Sequence, residues 1–133
     1  MWEYVIYQSY LLSDDIEVRL RLSDTGSAKL TIKTSGYLAR QEFELSLTID
    51  QYLSLSKQIK NKPIKKIYRT YNKDGRKIEI SFIDENWCYA EVEFKSDDED
   101  ILTYEFPWPE LVIKEVTFDS GYKMKNYWNR TRK

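Results

Sequence analysis

The chain has 133 residues, the length of one domain, and we expect positions 1–133 to form a single domain. Its 21 basic and 22 acidic residues give a net charge of -1, so bulk charge does not attract a nucleic-acid backbone. The absence of histidine excludes imidazole bases, the common catalytic triads and ordinary zinc sites. Cys88 is the only cysteine, which excludes an internal disulfide and favours a cytoplasmic location. Because no apolar run has the length of a signal peptide or a membrane span, we expect no membrane insertion.

Short runs of alternating apolar and polar residues recur along the chain, a pattern typical of an antiparallel sheet. Gly26 and Gly75 lie in turn-forming segments and predict hairpins between the runs that flank them. The runs predict strands at Glu3 to Leu11, Ile16 to Leu22, Ala28 to Thr34, Arg40 to Thr48, Ile64 to Tyr71, Lys77 to Ile83 and Trp87 to Lys95.

Two or three helices interrupt the predicted strands. Asp50 is the predicted N-cap of a helix that ends before Pro63. Ser96 and Glu99 have the spacing of a capping box, so the acidic segment between them indicates a helix start rather than a calcium loop. Two prolines oppose regular structure in residues 106–110. A short strand near residues 112–118 and a last helix in the basic segment 120–133 complete the predicted elements.

Charged residues fall on one face of the predicted strands, because residues i and i+2 of a strand share a face. Arg19 and Arg21 lie on the face opposite to a row of valine and leucine side chains. The same alternation recurs in four further strands, at Thr31 and Lys33, at Arg40, Glu42 and Glu44, at Glu79 and Ser81, and at Glu91 and Glu93.

Two interpretations of this polar pattern stay open. In the first, an antiparallel sheet has one wet face whose charges are simply solvated. In the second, the sheet closes into a barrel and the charged side chains line its interior. The second interpretation explains why glutamates such as Glu91 and Glu93 are aligned, since aligned carboxylates repel each other unless cations lie between them. An interior of this kind suits a polyanion together with its divalent cations.

The motifs on these strands resemble those of the CYTH family, also called triphosphate tunnel metalloenzymes. This family includes class IV adenylate cyclases, thiamine triphosphatases and tripolyphosphatases. The resemblance implies an α+β fold, an antiparallel β-barrel tunnel of about seven to eight strands with two to three helices packed outside. The matching segments, in order, are YQSYL at 7–11, VRLR at 18–21, LTIK at 30–33, RQEFE at 40–44, AEVEF at 90–94, and EVT at 115–117 followed by Tyr122.

The resemblance also implies a site for a triphosphate-containing substrate and a divalent metal ion. The K-x-R strand of the family corresponds to Lys66 together with either Arg69 or Tyr68. The two alternatives differ by one residue, which places the second side chain on opposite faces of the strand. Ser81 stands where the family often has an acidic residue. The implied phosphate-binding residues are Arg19, Arg21, Lys33, Arg40, Lys66 and Arg69. The implied ligands of Mg2+ or Mn2+ are Glu42, Glu44, Glu91 and Glu93.

The chain departs from the family at the first strand. The E-x-E-x-K motif of the family, which supplies two metal-side glutamates and a lysine, has no counterpart here. Because YQSYL matches the second family strand, the first strand is expected to be missing. Another segment, or a second copy of the chain in a homodimer, would then cover an open sheet edge. Glu3 or Glu79 would replace a lost carboxylate if its side chain pointed into the same cavity.

Three functions fit these residues. The first is a metal-dependent triphosphatase or an adenylate cyclase-like enzyme. The second is a non-catalytic module that binds a nucleotide, a polyphosphate or a 5′-triphosphate RNA end, the one form of nucleic acid we expect as a partner. RNA binding requires exposed stacking aromatics, whereas Trp87, Trp108, Tyr127 and Trp128 fit core packing better. The third is a structural protein with buried ion pairs, which are costly to desolvate.

Overall fold

The computed structural model describes residues 2–35, 40–94, 104–111, 114–117 and 119–132. Seven strands form one antiparallel sheet in the order β4-β3-β2-β1-β5-β6-β7. The seven strands predicted between Glu3 and Lys95 are all present, and the predicted α+β fold with an antiparallel sheet is confirmed. The strands are β1 (Trp2–Ser13), β2 (Glu17–Ser23), β3 (Ala28–Lys33), β4 (Glu42–Leu47), β5 (Ile64–Lys73), β6 (Arg76–Ile83) and β7 (Trp87–Val92).

A tight turn joins the two strands in each of the two hairpins that the sequence predicts. Gly26 lies between β2 and β3 with a φ of 88°, and Gly75 lies between β5 and β6 with a φ of 76°. Both angles fall in the left-handed region, where a residue without a Cβ atom avoids the steric cost. The two glycines therefore fix the register of the strands that they connect.

The apolar face of β2 and β3 is covered by helix α1 (Ile49–Ser56). Leu20 and Ala28 pack with Tyr52 of this helix in a buried cluster. Each large apolar side chain buried in this way contributes about 1.5–3 kcal/mol of transfer free energy. Thr48, and not the predicted Asp50, is the N-cap, because its hydroxyl accepts from the Gln51 backbone N–H while the Gln51 side chain accepts from the Thr48 N–H.

The second helix, α2 (Met124–Thr131), lies in the predicted C-terminal segment. It buries Tyr127 and Trp128 against Tyr10, Ile64 and Ile83 of the sheet. These three side chains point to the same face of the sheet as the charged side chains. Helix α2 therefore packs at one end of the charged face. One end of that face is therefore closed by aromatic rings.

Strands β4 and β7 are the two edges of the sheet, and within the described residues no hydrogen bonds join them. The predicted helix at Ser96 lies outside the described residues. Residues 114–117 form no strand, and the other positions of the predicted last strand are only partly described. The proline-rich segment holds a short 3₁₀ turn at Pro109–Leu111. Among the described helices, none has the length and apolar character needed to span a membrane.

Candidate functional site

Cross-strand pairing brings basic side chains from three strands to one face of the sheet. Arg19 and Arg21 are two residues apart in β2, and Lys33 is two residues from Thr31, which lies opposite Arg19. Lys66 of β5 lies on the same face. It pairs with Ile6 of β1, which is two residues from Gln8, the partner of Arg21. We call this the polar face, with Gln8, Glu17, Arg19, Arg21, Thr31, Lys33, Glu42, Glu44, Lys66, Tyr68, Glu79, Ser81, Tyr89, Glu91 and Glu93.

Two cations of the polar face are almost completely buried. Arg19 is 7% exposed and Lys66 is 3% exposed. The Arg19 Nε atom is buried and donates no hydrogen bond to any described residue. A buried donor without an acceptor costs about 1–3 kcal/mol, and more when the group is charged. The protein therefore holds a cationic donor in a position that an anionic acceptor would satisfy.

Burial and neighbouring positive charge both lower the pKa values of the cations on the polar face. Burial, followed by the charge of Arg21, lowers the pKa of Arg19 and moves that of Lys66 well below its ordinary value. Burial, followed by the charge of Arg19, lowers the pKa of Lys33 to about 8. A bound anion would oppose each of these shifts, because it stabilises the charged form of the buried group.

Arg21 is held in place by polar neighbours on β1 and β5. Its Nε donates to the Gln8 Oε1 at 2.9 Å, and its second guanidinium nitrogen donates to the Tyr68 hydroxyl at 3.3 Å. The Gln8 amide in turn donates to the Tyr10 hydroxyl at 2.8 Å. Burial raises the pKa of Tyr10 to about 12. The chain of hydrogen bonds orients the guanidinium before any ligand arrives.

Arg40 lies beside the polar face and is engaged by an acid. Its guanidinium donates to the Glu17 carboxylate at 3.1 Å, and the Glu17 side chain is buried. Glu17 precedes Arg19 by two residues and shares its face. Arg40 is thus partly neutralised by Glu17.

The predicted metal ligands on β4 contact basic residues. Glu42 lies 3.8 Å from Arg19 and 3.8 Å from Lys33, and Glu44 lies 3.6 Å from Lys29. These distances make Glu42 a countercharge to two of the phosphate-binding candidates. Both glutamates are exposed on the edge strand.

A second acidic group lies on β6 and β7. Glu79 pairs directly with Glu91, and Glu93 follows two residues later. Lys77 contacts Glu79 at 3.1 Å and Glu93 at 3.5 Å. Within the described ranges, no three acidic or cysteine side chains lie close enough together to form a metal site on their own. Two facing carboxylates nevertheless suit Mg2+, which keeps several waters and commonly shares its coordination with substrate phosphates.

The structure separates the two alternatives for the basic strand β5. Lys66 and Tyr68 lie on the polar face, and the Lys66 Nζ is 4.7 Å from the centre of the Tyr68 ring. Arg69 points to the other face, where its Nε donates to the Glu3 carboxylate at 2.6 Å. Arg69 and Glu3 are therefore not brought to the site, whereas Glu79 is.

Several residues of the polar face were not singled out as binding residues in the sequence. Gln8 is fully buried beside Arg21, and Tyr89 is half-buried near Lys66. The sequence could have placed Glu17 on this face, because it precedes Arg19 by two residues in the same strand. Tyr68 was one of the two alternatives for β5, and the register of that strand places it on the polar face.

The candidate stacking aromatics pack within the protein. Trp87 makes ring contacts with Tyr122 and Tyr127, Trp128 with Tyr10, and Trp108 with Tyr71. The ring centres lie 5.5 to 5.9 Å apart, the usual spacing of packed aromatic pairs. These contacts agree with core packing as the role of the four side chains.

The fold and the polar face define an antiparallel-sheet protein with buried cations gathered on one face. No family model matches the chain. The sequence is 32% identical, over 124 residues, to an inorganic triphosphatase of Nitrosomonas europaea, covering 89% of this chain and 80% of that protein. The solved structure described as the inorganic triphosphatase NE1496 has a TM-score of 0.67 and 27% identity, over 95% of this chain and 82% of that one. A second, described as the hypothetical protein NE1496, also has a TM-score of 0.67, with 28% identity over 95% of this chain and 85% of that one.

The chain belongs to the CYTH, or triphosphate tunnel metalloenzyme, family. Its tunnel-like antiparallel fold is the fold of its structural neighbour.

Proposed function

We propose that the protein binds inorganic triphosphate on the polar face and hydrolyses it with the help of a divalent metal ion. The observation that carries the proposal is the buried, unpartnered Nε of Arg19 among three further cations. The similarity to an inorganic triphosphatase supports the choice of ligand. A linear triphosphate carries several negative charges, which a cluster of this kind would neutralise.

In this proposal, the basic residues of the polar face hold the phosphate oxygens. Arg19 and Arg21 donate from guanidinium groups that burial and hydrogen bonds fix in place. Lys33 and Lys66 add ammonium charge from β3 and β5. Arg40 contributes from beside the polar face, where the Glu17 carboxylate already neutralises part of its charge.

The metal site of the proposal is formed mainly by Glu79 and Glu91, which face each other across β6 and β7. Glu93 lies beside them, directly after β7, whereas Glu42 and Glu44 lie on β4 at the other end of the strand order. The bound Mg2+ or Mn2+ would supply charge neutralisation at phosphate oxygens. The carboxylates would hold the ion together with oxygens of the substrate.

Lys66 acts as a cation in this proposal. Burial and the Arg21 charge lower its pKa in the free protein, and a bound triphosphate would oppose that shift because the anion stabilises the ammonium form. Arg19 and Arg21 would then stabilise the charge that develops on the transferred phosphoryl oxygens.

A second candidate function is binding without hydrolysis. The described acidic residues of the polar face include Glu42, Glu79 and Glu93 in contact with basic side chains, and no described group of three acids is poised for a metal. A module of this kind would capture a nucleotide, a polyphosphate or a 5′-triphosphate RNA end. For either function we propose a cytoplasmic location, which suits a chain with one cysteine.

Thermal unfolding with inorganic triphosphate, with and without Mg2+, tests the binding step. The proposal predicts a rise in the unfolding temperature for the wild type and a much smaller rise for Arg19→Gln. Arg69→Gln is the matched control, because Arg69 is on the other face, and it should respond as the wild type does. No shift in the wild type would contradict both candidate functions.

Phosphate release in the same samples separates the two candidates. Orthophosphate release from triphosphate that requires Mg2+ or Mn2+ and is lost in Arg19→Gln supports hydrolysis. Binding without release supports the non-catalytic module. ATP offered in parallel tests the cyclase alternative, since a cyclase releases pyrophosphate and cyclic AMP in place of orthophosphate.

A further inference from the structure

The outer face of strand β4 exposes large apolar side chains at the edge of the sheet. Phe43 is 57% exposed and Leu45 is 59% exposed. They lie opposite Ile32 and Leu30 of β3, so the apolar surface extends over two strands. A groove of about 430 Å³ continues it toward α1 and is lined mainly by leucines. Contiguous apolar surface at a strand edge is typical of a site that another chain covers.

Strand β4 also lacks three of the features that commonly prevent an edge strand from pairing. It contains no proline and no lysine, and its register with β3 is unbroken. Its glutamates point to the polar face, where Glu42 contacts Arg19 and Lys33. The opposite edge, β7, presents the smaller side chains of Cys88, Ala90 and Val92 on its outer face. The two edges of the sheet therefore differ, and β4 is the one prepared for a partner.

We propose that a second copy of this chain pairs with β4 through its own β4, antiparallel and about a two-fold axis at Leu45. In this register Leu45 faces its own copy and Phe43 faces Leu47 of the second copy. On the polar side, Glu44 faces Ser46 and Glu42 faces Thr48. Every apolar side chain of the strand then meets an apolar one, and no two glutamates lie directly opposite each other.

Neighbouring registers are less favourable. An axis at Glu44 places the two copies of that glutamate face to face, and an axis at Phe43 places Glu42 against Glu44 twice. Like charges directly opposite in a sheet are destabilising. An axis at Ser46 avoids this repulsion but pairs fewer residues of the strand. The sequence of β4 therefore selects Leu45 as the centre, and the inference does not depend on triphosphate binding.

Molar mass in solution, measured by size-exclusion chromatography with light scattering, tests the association. The wild type should have the mass of a dimer at high concentration. Leu45→Arg should be monomeric, since it places two like charges at the axis, while circular dichroism verifies that it is folded. Ala90→Arg, the same change on the outer face of the opposite edge, should remain dimeric. A monomeric wild type at every concentration overturns the proposal, as does an open series of larger species, which indicates β4 pairing with β7.

Cysteine crosslinking tests the register. In a Cys88→Ser background, Leu45→Cys should form a crosslinked dimer with an oxidant, because facing Cβ atoms lie about 4.5–5.5 Å apart. Phe43→Cys should not, since four strand positions separate the two copies by about 13 Å. Efficient crosslinking at position 43 with none at position 45 contradicts the proposed axis.

Discussion

Removing the ammonium group of Lys33 should abolish a pH-dependent proton uptake that accompanies triphosphate binding. Burial, followed by the charge of Arg19, lowers the pKa of Lys33 to about 8. With that pKa, about half of the lysines are uncharged at pH 8 and about nine-tenths at pH 9. A phosphate oxygen beside the amine favours the ammonium form and restores the pKa toward its ordinary value of 10.5.

The expected uptake at Lys33 is about 0.5 proton per site at pH 8, about 0.9 at pH 9 and close to zero at pH 6.5. Isothermal titration calorimetry in two buffers of different ionisation enthalpy measures it. The quantity to compare is the difference between wild type and Lys33→Gln, in which protons released by the triphosphate itself cancel. Lys29→Gln, a half-exposed lysine on the same strand, is the control and should retain the wild-type uptake.

The affinity of the wild type for triphosphate should also fall as the pH rises above 8, because binding requires the proton that Lys33 has lost. An equal proton uptake in wild type and Lys33→Gln at pH 9 would refute the reasoning. A difference as large at pH 6.5 as at pH 9 would refute it as well, since Lys33 is charged in the free protein at the lower pH.

Two further predictions concern the helices that cover the sheet. Thr48→Ala removes the side chain that caps α1 and should lower the free energy of unfolding by about 1 kcal/mol without changing triphosphate affinity, as chemical denaturation and calorimetry will measure. Asp84→Asn weakens the anchor of the C-terminal segment, because the Asp84 carboxylate accepts from Arg132 and from the Tyr127 hydroxyl, each at 2.7 Å. It should destabilise the protein by about 1–3 kcal/mol, and an unchanged unfolding midpoint would contradict this role.

The strands and most of the basic residues of the site could be predicted from the sequence because both follow a period of two. Arg19, Arg21 and Lys33 lie in strongly alternating segments, where one face of the strand is clearly apolar. Once the strands were assigned, parity alone placed these three side chains together.

The position of β5 could not be fixed in the same way. Lys66 and Arg69 lie three residues apart, so they point to opposite faces, and the sequence of the strand allowed either parity. Pairing with β1 decides between them, and that pairing is a long-range contact. The helix cap was predicted at Asp50 for a related reason, since Thr48 and Asp50 are both good caps and only the hydrogen bonds with Gln51 distinguish them.

The central claim is that the buried guanidinium of Arg19 is an anion-binding donor. The arginine Nε–H signals in a ¹H–¹⁵N NMR spectrum test it directly during a titration with triphosphate and Mg2+, after assignment by Arg19→Lys and Arg69→Lys. The Arg19 signal should move in a saturable manner, because its Nε gains an acceptor, while the Arg69 signal stays in place because its Nε already donates to Glu3. An Arg19 signal that does not move, or one that moves no more than that of Arg69, would contradict the claim.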